Sequence, residues 1–406
     1  MHVVFAIPFA MENTLRFARA AASLPGVRLS VVTQDPAEKF PADFRQLLAG
    51  FQQVADGMQA DELVRGVQAL ARTLGPAERL LGILEPLQEP LAVVRERLHI
   101  RGMDAVTARN FRDKARMKDL FAAHDLPCAR HRLCASVAEA QAFAQEVGFP
   151  LVGKPPAGAG AKATSRCDTM EELTAFARQS QPGKGREVLL EEFVLGREFS
   201  FDSVTLHGEH VFHNICCYHP TPLEVMENPW IQWCVVLPRE LAVPEFAAIH
   251  RLGPRALSTL GMWTGMSHLE WFRRQDGTIA IGEVAARPPG AQFMTLMSWV
   301  TDTDMYRAFA QLMVSETFVA PTRRFAAGAA YLRGQGTGAA VRAVHGLDQV
   351  RADLGELIVQ ARPPVVGQAA ATSYEGEGFV IVRHPDTEVV TKAVQHVVRT
   401  VRVELA

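Results

Sequence analysis

The sequence predicts a mixed fold in which an α/β unit is followed by α+β units. The chain opens with an apolar strand at residues 2–7, a helix at 15–23 and a second strand at 27–32. This order is typical of a parallel sheet covered by helices. From about Met103 onward, strand-rich segments replace the regular alternation, and Asp276-Gly277 between two runs of β-formers indicates an antiparallel hairpin. The expected fold class is therefore α/β and α+β.

The composition indicates a globular protein that acts on small molecules. Hydrophobic residues make up 48% and charged residues 21% of the 406 residues, enough chain for about two to three domains. The net charge of −2 gives no electrostatic footprint for nucleic acid or an anionic membrane. The six cysteines show no CxxC spacing, which is typical of a reduced set without a zinc site. Residues 1–17 show no basic leader and no membrane span, so we expect a cytoplasmic protein. We further expect small-molecule partners and a homodimer.

The elements of the first unit follow from apolar patterns and caps. Asn13 or Thr14 is expected to cap the helix at 15–23, and residues 60–74 predict a second helix. Residues 80–84 predict a buried strand, and Glu85 stands where this strand would end. Ligands of parallel sheets collect at the carboxyl ends of strands, so Glu85 is a candidate site residue. A structural role at a helix start is the alternative.

The middle of the chain predicts a small α+β unit and a strand-rich unit after it. Residues 107–124 have the basic amphipathic pattern of one helix. Strand patterns follow at 131–134, 150–154 and 187–193, with a helix at 170–178. Past Pro321 the tail is rich in glycine and ends with a strand at 378–382 and a helix at 388–401.

The hairpin places two carboxylates opposite each other. If Asp276-Gly277 forms a type I′ turn, Gln275 pairs with Thr278, and counting outward sets Glu270 opposite Glu283 with Cβ atoms roughly 5 Å apart. Like charges so placed destabilise a sheet unless one is protonated or a cation bridges them. Oxygen ligands with doubled charge suit Mg²⁺ carrying phosphates rather than zinc. The alternatives are a solvated face or a register that differs by one.

A loop rich in glycine and alanine follows the strand that ends at Lys154. Its small residues, Gly158 and Gly160 among them, would let backbone N–H groups approach an anion, and Lys154 and Lys162 bracket it with positive charge. The loop lacks the GK[ST] ending of a Walker P-loop and the spacing of GxGxxG. A hairpin turn without a ligand is the alternative.

Three further groups of polar residues are candidates. Lys114 lies on the basic helix, with Lys118 one turn later on the same face, and a solvated face is the alternative. The turn after residue 191 would expose backbone amides at 192–194 that could read a purine edge, with Glu198 as a carboxylate for ribose hydroxyls. His268 points the same way as Glu270, and could orient an anion or bond a carbonyl. Arg287, held by Pro288-Pro289, presents a rigid fork to carboxylate or phosphate.

Taken in order, these motifs resemble the ATP-grasp superfamily. They are a lysine on a helix, a strand lysine before a Gly/Ala-rich loop, EEFVLGRE at 191–198, HLE at 268–270 and EVAARPPG at 283–290. The preceding α/β unit is similar to the superfamily's usual N-terminal domain. The resemblance implies a Rossmann-like domain at 1–104, an ATP-grasp domain at 105–320 with a lid subdomain at about 126–194, and a small C-terminal α+β domain at 321–406.

The resemblance also implies roles for the candidate residues. Lys114 and Lys154 would contact ATP phosphates together with Gly158 and Gly160 of the loop, Glu198 would hold the ribose, and Glu270 and Glu283 would bind Mg²⁺. Arg287, His268 and Lys154 would be the catalytic side chains. The adenine hinge would be formed by Glu191, Glu192, Phe193 and Val194.

One departure from the superfamily bears on the metal. Many members carry Asn two residues after the second glutamate, whereas this chain has Ala285. The number of magnesium ions, one or two, is therefore open, with Mn²⁺ as an alternative metal. The Ala-Ala-Arg form is similar to the amino-acid ligase branch, which includes L-amino acid ligases and carnosine-synthase-like enzymes.

The expected function is an ATP-dependent carboxylate–amine ligase that works through an acyl phosphate and releases ADP and phosphate. A bicarbonate-activating enzyme like biotin carboxylase and a nucleotide-binding protein without turnover are the alternatives. The two substrates are not specified by the sequence. The loop at 219–238, with Trp230 and Trp233, either lines the acceptor pocket or packs a lid.

Overall fold

A computed structural model describes residues 1–157, 164–228 and 230–406. Gly158, Gly160 and Lys162 of the predicted phosphate loop lie outside these described residues. Among the described residues, no helix combines the length and the apolar composition needed to cross a bilayer.

The first unit is the predicted α/β unit. Its four strands form a parallel sheet in the order β3-β2-β1-β4, and helices pack on the sheet. The helix predicted at 15–23 begins earlier, at Glu12, and its N-cap residue Met11 makes no side-chain cap bond, so the predicted caps Asn13 and Thr14 are wrong. The elements are β1 (His2–Ala6), α1 (Glu12–Ala22), β2 (Arg28–Thr33), α2 (Ala42–Arg45), β3 (Gly50–Gln53), α3 (Ala60–Leu74), β4 (Arg79–Leu81) and α4 (Gln88–Leu98).

The basic helix predicted at 107–124 is two helices. They are α5 (Ala105–Arg112) and α6 (Lys114–Ala123), separated at Asp113. The Asp113 carboxylate accepts hydrogen bonds from the amides of Ala115 and Arg116, which makes it the N-cap of α6. Lys114 is consequently the first residue of a helix and is fixed by that cap.

A small antiparallel sheet follows, in the order β5-β8-β6-β7. Two helices, capped by Ser136 and Thr169, cover it. The strand predicted at 131–134 is confirmed, and those predicted at 150–154 and 187–193 are each shorter. The elements are β5 (His131–Cys134), α7 (Val137–Val147), β6 (Leu151–Lys154), β7 (Ser165–Cys167), α8 (Met170–Ser180) and β8 (Val188–Glu192).

The centre of the molecule is an eight-stranded antiparallel sheet in the order β13-β12-β9-β10-β11-β14-β18-β17. Its strands are β9 (Gly196–Leu206), β10 (Glu209–His219), β11 (Trp233–Leu237), β12 (Gly265–Arg274), β13 (Ile279–Ala285), β14 (Ala326–Leu332), β17 (Ile358–Arg362) and β18 (Gly378–His384). The helices in this region are α9 (Pro222–Glu227), α10 (Ala247–Leu260), α11 (Phe293–Thr301) and α12 (Met305–Ser315).

The C-terminal residues both extend the large sheet and build a small one. The small sheet has the order β15-β19-β16 and comprises β15 (Gly334–Gln335), β16 (Val341–His345) and β19 (Arg402–Leu405), with helices α13 (Leu347–Leu354) and α14 (Thr387–Thr400). The predicted boundary at 320/321 falls between α12 and β14, and β14 pairs directly with β11 on the other side of it. The domain boundaries stay a prediction, but strands on the two sides of the 320/321 boundary belong to the same sheet.

The hairpin β12–β13 has the predicted carboxylate pair and a different turn. The amide of Gly277 donates to the carbonyl of Arg274, at 3.0 Å, and Arg274 rather than Gln275 faces Thr278. Gly277 has φ of 85°, and Asp276 keeps a negative φ, so the predicted two-residue type I′ turn is wrong and the loop has three residues. A bulge at Gly282 then shifts the register back by one, and Glu270 lies opposite Glu283.

Candidate active site

A cavity of about 650 Å³ opens between the small sheet and one face of the eight-stranded sheet. Its volume is in the usual range for a small-molecule site. Lys154 and the turn after Glu192 come from the small sheet, and the first unit contributes Glu85. The other predicted residues that line it are Lys114, Glu191, Glu192, Phe193, Val194, Glu198, His268, Glu270, Glu283 and Arg287.

Three carboxylates project from neighbouring strands of the large sheet into this cavity. Glu270 on β12 faces Glu283 on β13, and Glu198 on β9 lies two residues from Ser200, the β9 residue that faces Glu270. Burial, followed by the charges of Glu270 and Glu283, raises the pKa of Glu198 well above its usual range. Burial also acts to raise the pKa of Glu283, but Lys114 and Lys154 outweigh it and hold that pKa at about 2. The three carboxylates therefore differ in pKa, with that of Glu198 raised and that of Glu283 lowered.

Lysines from two separate elements meet these carboxylates. The Lys114 Nζ lies 3.1 Å from Glu283 Oε2, and the Lys154 Nζ lies 2.9 Å from Glu191 Oε1. Burial lowers the pKa of Lys154, but Glu191 and Glu283 outweigh burial and raise it, so the side chain stays charged. The interpretation of Lys114 as part of a solvated face is wrong, because the cap at Asp113 turns the first residue of α6 toward the cavity.

Lys118 is a buried lysine that pairs with Glu191 and has a structural role. Its side chain has 0% exposure, and its Nζ lies 3.4 Å from Glu191 Oε2 and donates to the Gly282 carbonyl at 2.9 Å. Lys118 thus ties α6 both to β8 and to the bulge that sets the carboxylate register. The Glu191 side chain, held between Lys118 and Lys154, is committed to ion pairs rather than to a ligand.

His268 is held by an aspartate that the sequence reading missed. Asp202 on β9 faces His268 on β12, and His268 Nδ1 lies 2.5 Å from Asp202 Oδ1. His268 Nε2 lies 3.4 Å from Glu270 Oε1. Burial lowers the pKa of His268, but Asp202 and Glu270 outweigh it and raise the pKa to about 9. His268 is therefore a cation at neutral pH and can donate a hydrogen bond, but it cannot act as a base.

Arg287 leaves β13 and turns back to Glu85. Its Nε donates to Glu85 Oε2 at 2.7 Å, and its Nη1 donates to the Pro288 carbonyl at 3.0 Å. Arg112 Nη1 lies 3.7 Å from the other Glu85 oxygen. The strand predicted at 80–84 ends at Leu81, and Glu85 begins the 3-10 helix Glu85–Leu87 that follows it. From there Glu85 fixes the orientation of an arginine 202 positions away.

The predicted adenine hinge has fewer available donors than expected. The amide of Glu192 donates to the Arg130 carbonyl at 2.9 Å, and that of Phe193 to the Pro150 carbonyl at 3.1 Å, so these two amides are not exposed as predicted. The Glu192 carboxylate is paired with Arg130 and Arg274. The Val194 amide has no acceptor among the residues that the structure describes, which leaves it as the donor that the hinge can offer.

The donor set fits a divalent cation and phosphates. The carboxylates supply only oxygen, and Glu270 and Glu283 face each other closely enough for one cation to contact both. Within the described residues, no three metal-binding side chains converge closely enough to hold an ion by themselves. Phosphate oxygens or waters would then have to complete the coordination, as is usual for Mg²⁺.

The alternation of polar and apolar residues along β9 is a sequence signal that could have identified Asp202. Glu198, Ser200 and Asp202 alternate with Phe199 and Phe201, so the three polar residues share one face of β9. Tyr218 and Tyr374, which also line the cavity, give no comparable local signal. Trp233 of the loop at 219–238 lines the cavity, whereas Trp230 lies on the surface with 66% exposure.

Comparison with known proteins agrees with this geometry. Residues 119–302 match the family model described as the ATP-grasp domain. The L-arginine-specific L-amino acid ligase of Bacillus subtilis is 26% identical over 222 residues, which cover 53% of this chain and 53% of that protein. The chain spans about half the length of the curated relatives it matches.

Solved structures match over the whole chain. The L-amino acid ligase from Bacillus licheniformis superposes with a TM-score of 0.81 at 18% identity, covering 100% of this chain and 98% of that one. The biotin carboxylase domain of the Hydrogenobacter thermophilus 2-oxoglutarate carboxylase, a dimer in complex with MgADP, ADP and bicarbonate, superposes with a TM-score of 0.68 at 17% identity, covering 99% and 90%. The predicted fold and the predicted resemblance are confirmed.

Proposed function

We propose that this chain, which carries an ATP-grasp domain, is an ATP-dependent ligase that joins a carboxylate to an amine through an acyl phosphate. The observation that carries the proposal is the facing pair Glu270 and Glu283, with Glu198 beside it and charged Lys154 opposite. Phosphoryl transfer needs such an arrangement, because catalysis depends mainly on positioning and on neutralising the charge of the phosphates. The bonds formed would join two amino acids, or an amino acid and a small carboxylate.

The nucleotide would lie between the small sheet and the large one. The Val194 amide would donate to the adenine edge, and Glu198 would accept hydrogen bonds from ribose hydroxyls. Lys114 and Lys154 would bind phosphate oxygens, because both side chains line the cavity. Each Nζ lies there beside a carboxylate. Gly158 and Gly160, outside the described residues, are proposed to contribute backbone donors to the phosphates.

Glu270 and Glu283 would hold Mg²⁺. When bound there, the metal neutralises phosphate charge and favours an in-line attack on the γ-phosphorus. Lys154 keeps its positive charge in the buried site and would stabilise the same phosphoryl oxygens during transfer. In this first step a substrate carboxylate oxygen bonds to the γ-phosphorus, and the bond to ADP breaks.

The second step replaces phosphate by the amine. The amine nitrogen bonds to the acyl carbon, the nitrogen loses a proton and inorganic phosphate leaves. Arg287 would stabilise the oxyanion of the tetrahedral intermediate, since Glu85 and the Pro288 carbonyl hold its guanidinium in one orientation. His268, charged at neutral pH, would help to neutralise the substrate carboxylate rather than remove the proton from the amine.

The test is ADP release with bicarbonate removed, measured over pairs of amino acids. We expect release to require both a carboxylate and an amine, and hydroxylamine to trap the acyl phosphate as a hydroxamate. Glu270→Gln should abolish release, and Glu171→Gln, a change at an exposed position of α8, should not. Release that depends on bicarbonate and ignores every amine would contradict the ligase and favour a carboxylase.

A further inference from the structure

An aromatic wall closes one end of the cavity. It consists of Tyr218, Trp233, Phe293 and Tyr374, all of which line the cavity. The Trp233 ring centroid lies 5.6 Å from that of Tyr218 and 4.8 Å from that of Tyr374, with edge-to-face geometry in both pairs. Phe293 lies 6.1 Å from Tyr218 and 6.3 Å from Trp233. Such interlocked rings form a rigid apolar surface.

This wall adjoins the residues proposed to act on the substrate carboxylate. The ring of Phe293 lies 5.9 Å from that of His268. Burial, followed by the charge of Glu375, raises the pKa of Tyr374 to about 12, and the charges of Arg287 and Glu270 also act on its hydroxyl. A carboxylate held beside Arg287 and His268 would therefore have its substituent directed at the wall.

The ring faces of the wall have no cationic partner of their own. Among the described residues, no arginine or lysine stacks on any of the four rings, although cation–π contacts occur elsewhere in the chain. The Trp233 indole N–H is already used, since it donates to the Pro220 carbonyl at 3.0 Å. A charged substituent at this surface would lose its hydration without gaining a partner.

Two hydroxyl groups of the wall remain available. Among the described residues, neither the Tyr218 hydroxyl nor the Tyr374 hydroxyl has a hydrogen-bond partner. Neither oxygen is among the fully buried polar atoms, so both are accessible to a ligand. Both hydroxyls therefore face the cavity, where a polar group of a ligand can reach them. An α-amino group next to the reacting carboxylate has the size and chemistry to do so.

Tyr374 is supplied by the segment between β17 and β18 and is held there by Glu377. The buried carboxylate of Glu377 accepts hydrogen bonds from the amides of Ala371 and Gly334, both at 2.7 Å. The amide of Gly376 donates to the Ser373 carbonyl at 3.3 Å. Tyr374 thus enters the cavity on a braced turn from the C-terminal residues.

From these observations we infer that the aromatic wall is the subsite for the side chain of the carboxylate substrate, and that it selects an amino acid with a large apolar or aromatic side chain. Tyr374 is the specificity-determining residue, because it completes the wall from outside the strands that carry the carboxylates. The inference rests on the proposed function, since it assumes that the ligand is the acyl donor of a ligase.

The experiment measures the acyl half-reaction alone. Hydroxylamine serves as the only amine, and hydroxamate formation is measured with phenylalanine, leucine, alanine, aspartate and lysine as donors. We expect kcat/KM for phenylalanine or leucine to exceed that for alanine by roughly 10- to 100-fold, the scale set by filling an apolar pocket. Tyr374→Ala should reduce this ratio by about 10-fold, and Tyr374→Phe should keep it.

A control variant and a binding measurement separate specificity from folding and from turnover. Trp263→Ala removes an aromatic side chain with 61% exposure outside the cavity and should leave the ratio unchanged. Calorimetry with Mg²⁺ and a non-hydrolysable ATP analogue should give tighter binding of phenylalanine than of aspartate, with Tyr374→Ala weakening only the former. Equal or reversed preference in the wild type, or a preference that survives in a folded Tyr374→Ala, would overturn the inference.

The two proposals fail in different ways. If no donor yields hydroxamate but phenylalanine binds in a manner that depends on Tyr374, the ligase proposal is wrong and the subsite is supported. If hydroxamate forms equally from every donor, the ligase proposal is supported and the subsite is overturned.

Discussion

Replacing Glu283 by glutamine tests the proposed metal site most directly. Glu283→Gln keeps the size of the side chain and removes one of the two facing negative charges. It also removes the carboxylate charge that lies 3.1 Å from the Lys114 Nζ. The site would therefore attract a metal cation less strongly.

The expected effect is large on kcat and small on nucleotide affinity. Losing one pre-positioned charge-stabilising group costs about 3 kcal/mol in the transition state, which corresponds to a rate loss of roughly 10²-fold. ATP affinity should fall only modestly, because the proposed adenine and ribose contacts do not involve Glu283. Steady-state kcat, nucleotide binding by calorimetry and Mn²⁺ binding by electron paramagnetic resonance measure the three effects separately.

Two results would refute this reasoning. A Glu283→Gln enzyme with unchanged kcat would remove the assignment of Glu283 to the metal. Unchanged Mn²⁺ binding together with lost ATP affinity would make Glu283 a nucleotide-binding residue instead. Glu171→Gln, at an exposed position of α8, is the matched control and should change none of the three quantities.

Three further predictions concern Arg287, Lys118 and a histidine pair. Arg287→Lys should keep ATP affinity while amide formation falls by roughly 10²-fold, because a lysine cannot reproduce the fork held by Glu85; equal losses in binding and turnover would argue against this. Lys118→Met should lower the free energy of unfolding by about 3 kcal/mol in denaturant titrations, since Glu191 would lose a buried partner, whereas Lys392→Met on the surface should have little effect. Burial lowers the pKa of His210 to about 4 and that of His213 to about 3, below the value near 6.5 expected in the unfolded chain. Below about pH 6.5 the unfolded chain therefore binds more protons than the folded protein. The contribution of the two neutral histidines to the free energy of unfolding is complete above about pH 6.5 and declines toward pH 4, by roughly 2 kcal/mol per histidine at pH 5. A free energy of unfolding that stays constant between pH 7 and 5 would contradict this prediction.

The carboxylate pair was predictable from sequence, but partly through two compensating errors. The assumed type I′ turn put Gln275 opposite Thr278, whereas the real loop is one residue longer. The bulge at Gly282 restores the register that the turn had shifted. A Cβ at Gly282 would lie 3.1 Å from the Glu270 carbonyl oxygen, so the close approach of the two strands favours glycine there. The two registers differ between the turn and the bulge, because a slip of one residue would move Ile281 from a position opposite Trp271 to one opposite Phe272.

The burial of Lys114 and Lys118 could not be predicted from the sequence for a different reason. A lysine-rich helix usually presents its charges to solvent, and nothing near Lys114 or Lys118 in sequence suggests otherwise. Their partners, Glu283 and Glu191, are brought to them by the sheets. Burial of a lysine depends on whether a carboxylate arrives at the same place, which only the tertiary structure decides.

The proposed site has one part that motifs identify and another part, Tyr374, that is proposed to set its selectivity. Residues that bind phosphate and metal must meet strict charge and geometry requirements, so such residues are expected to be of recognisable types at fixed spacing, as Glu270, Glu283 and Lys154 are in the proposed site. Tyr374 needs only to present a ring and a hydroxyl, and it reaches the cavity from a turn braced by Glu377, outside the matched residues 119–302. Selectivity for the acyl donor would then be carried by a segment that the family motifs do not include. Substitutions in the C-terminal turn would then change the substrate without changing the reaction type. The reaction type would depend on the carboxylates and lysines.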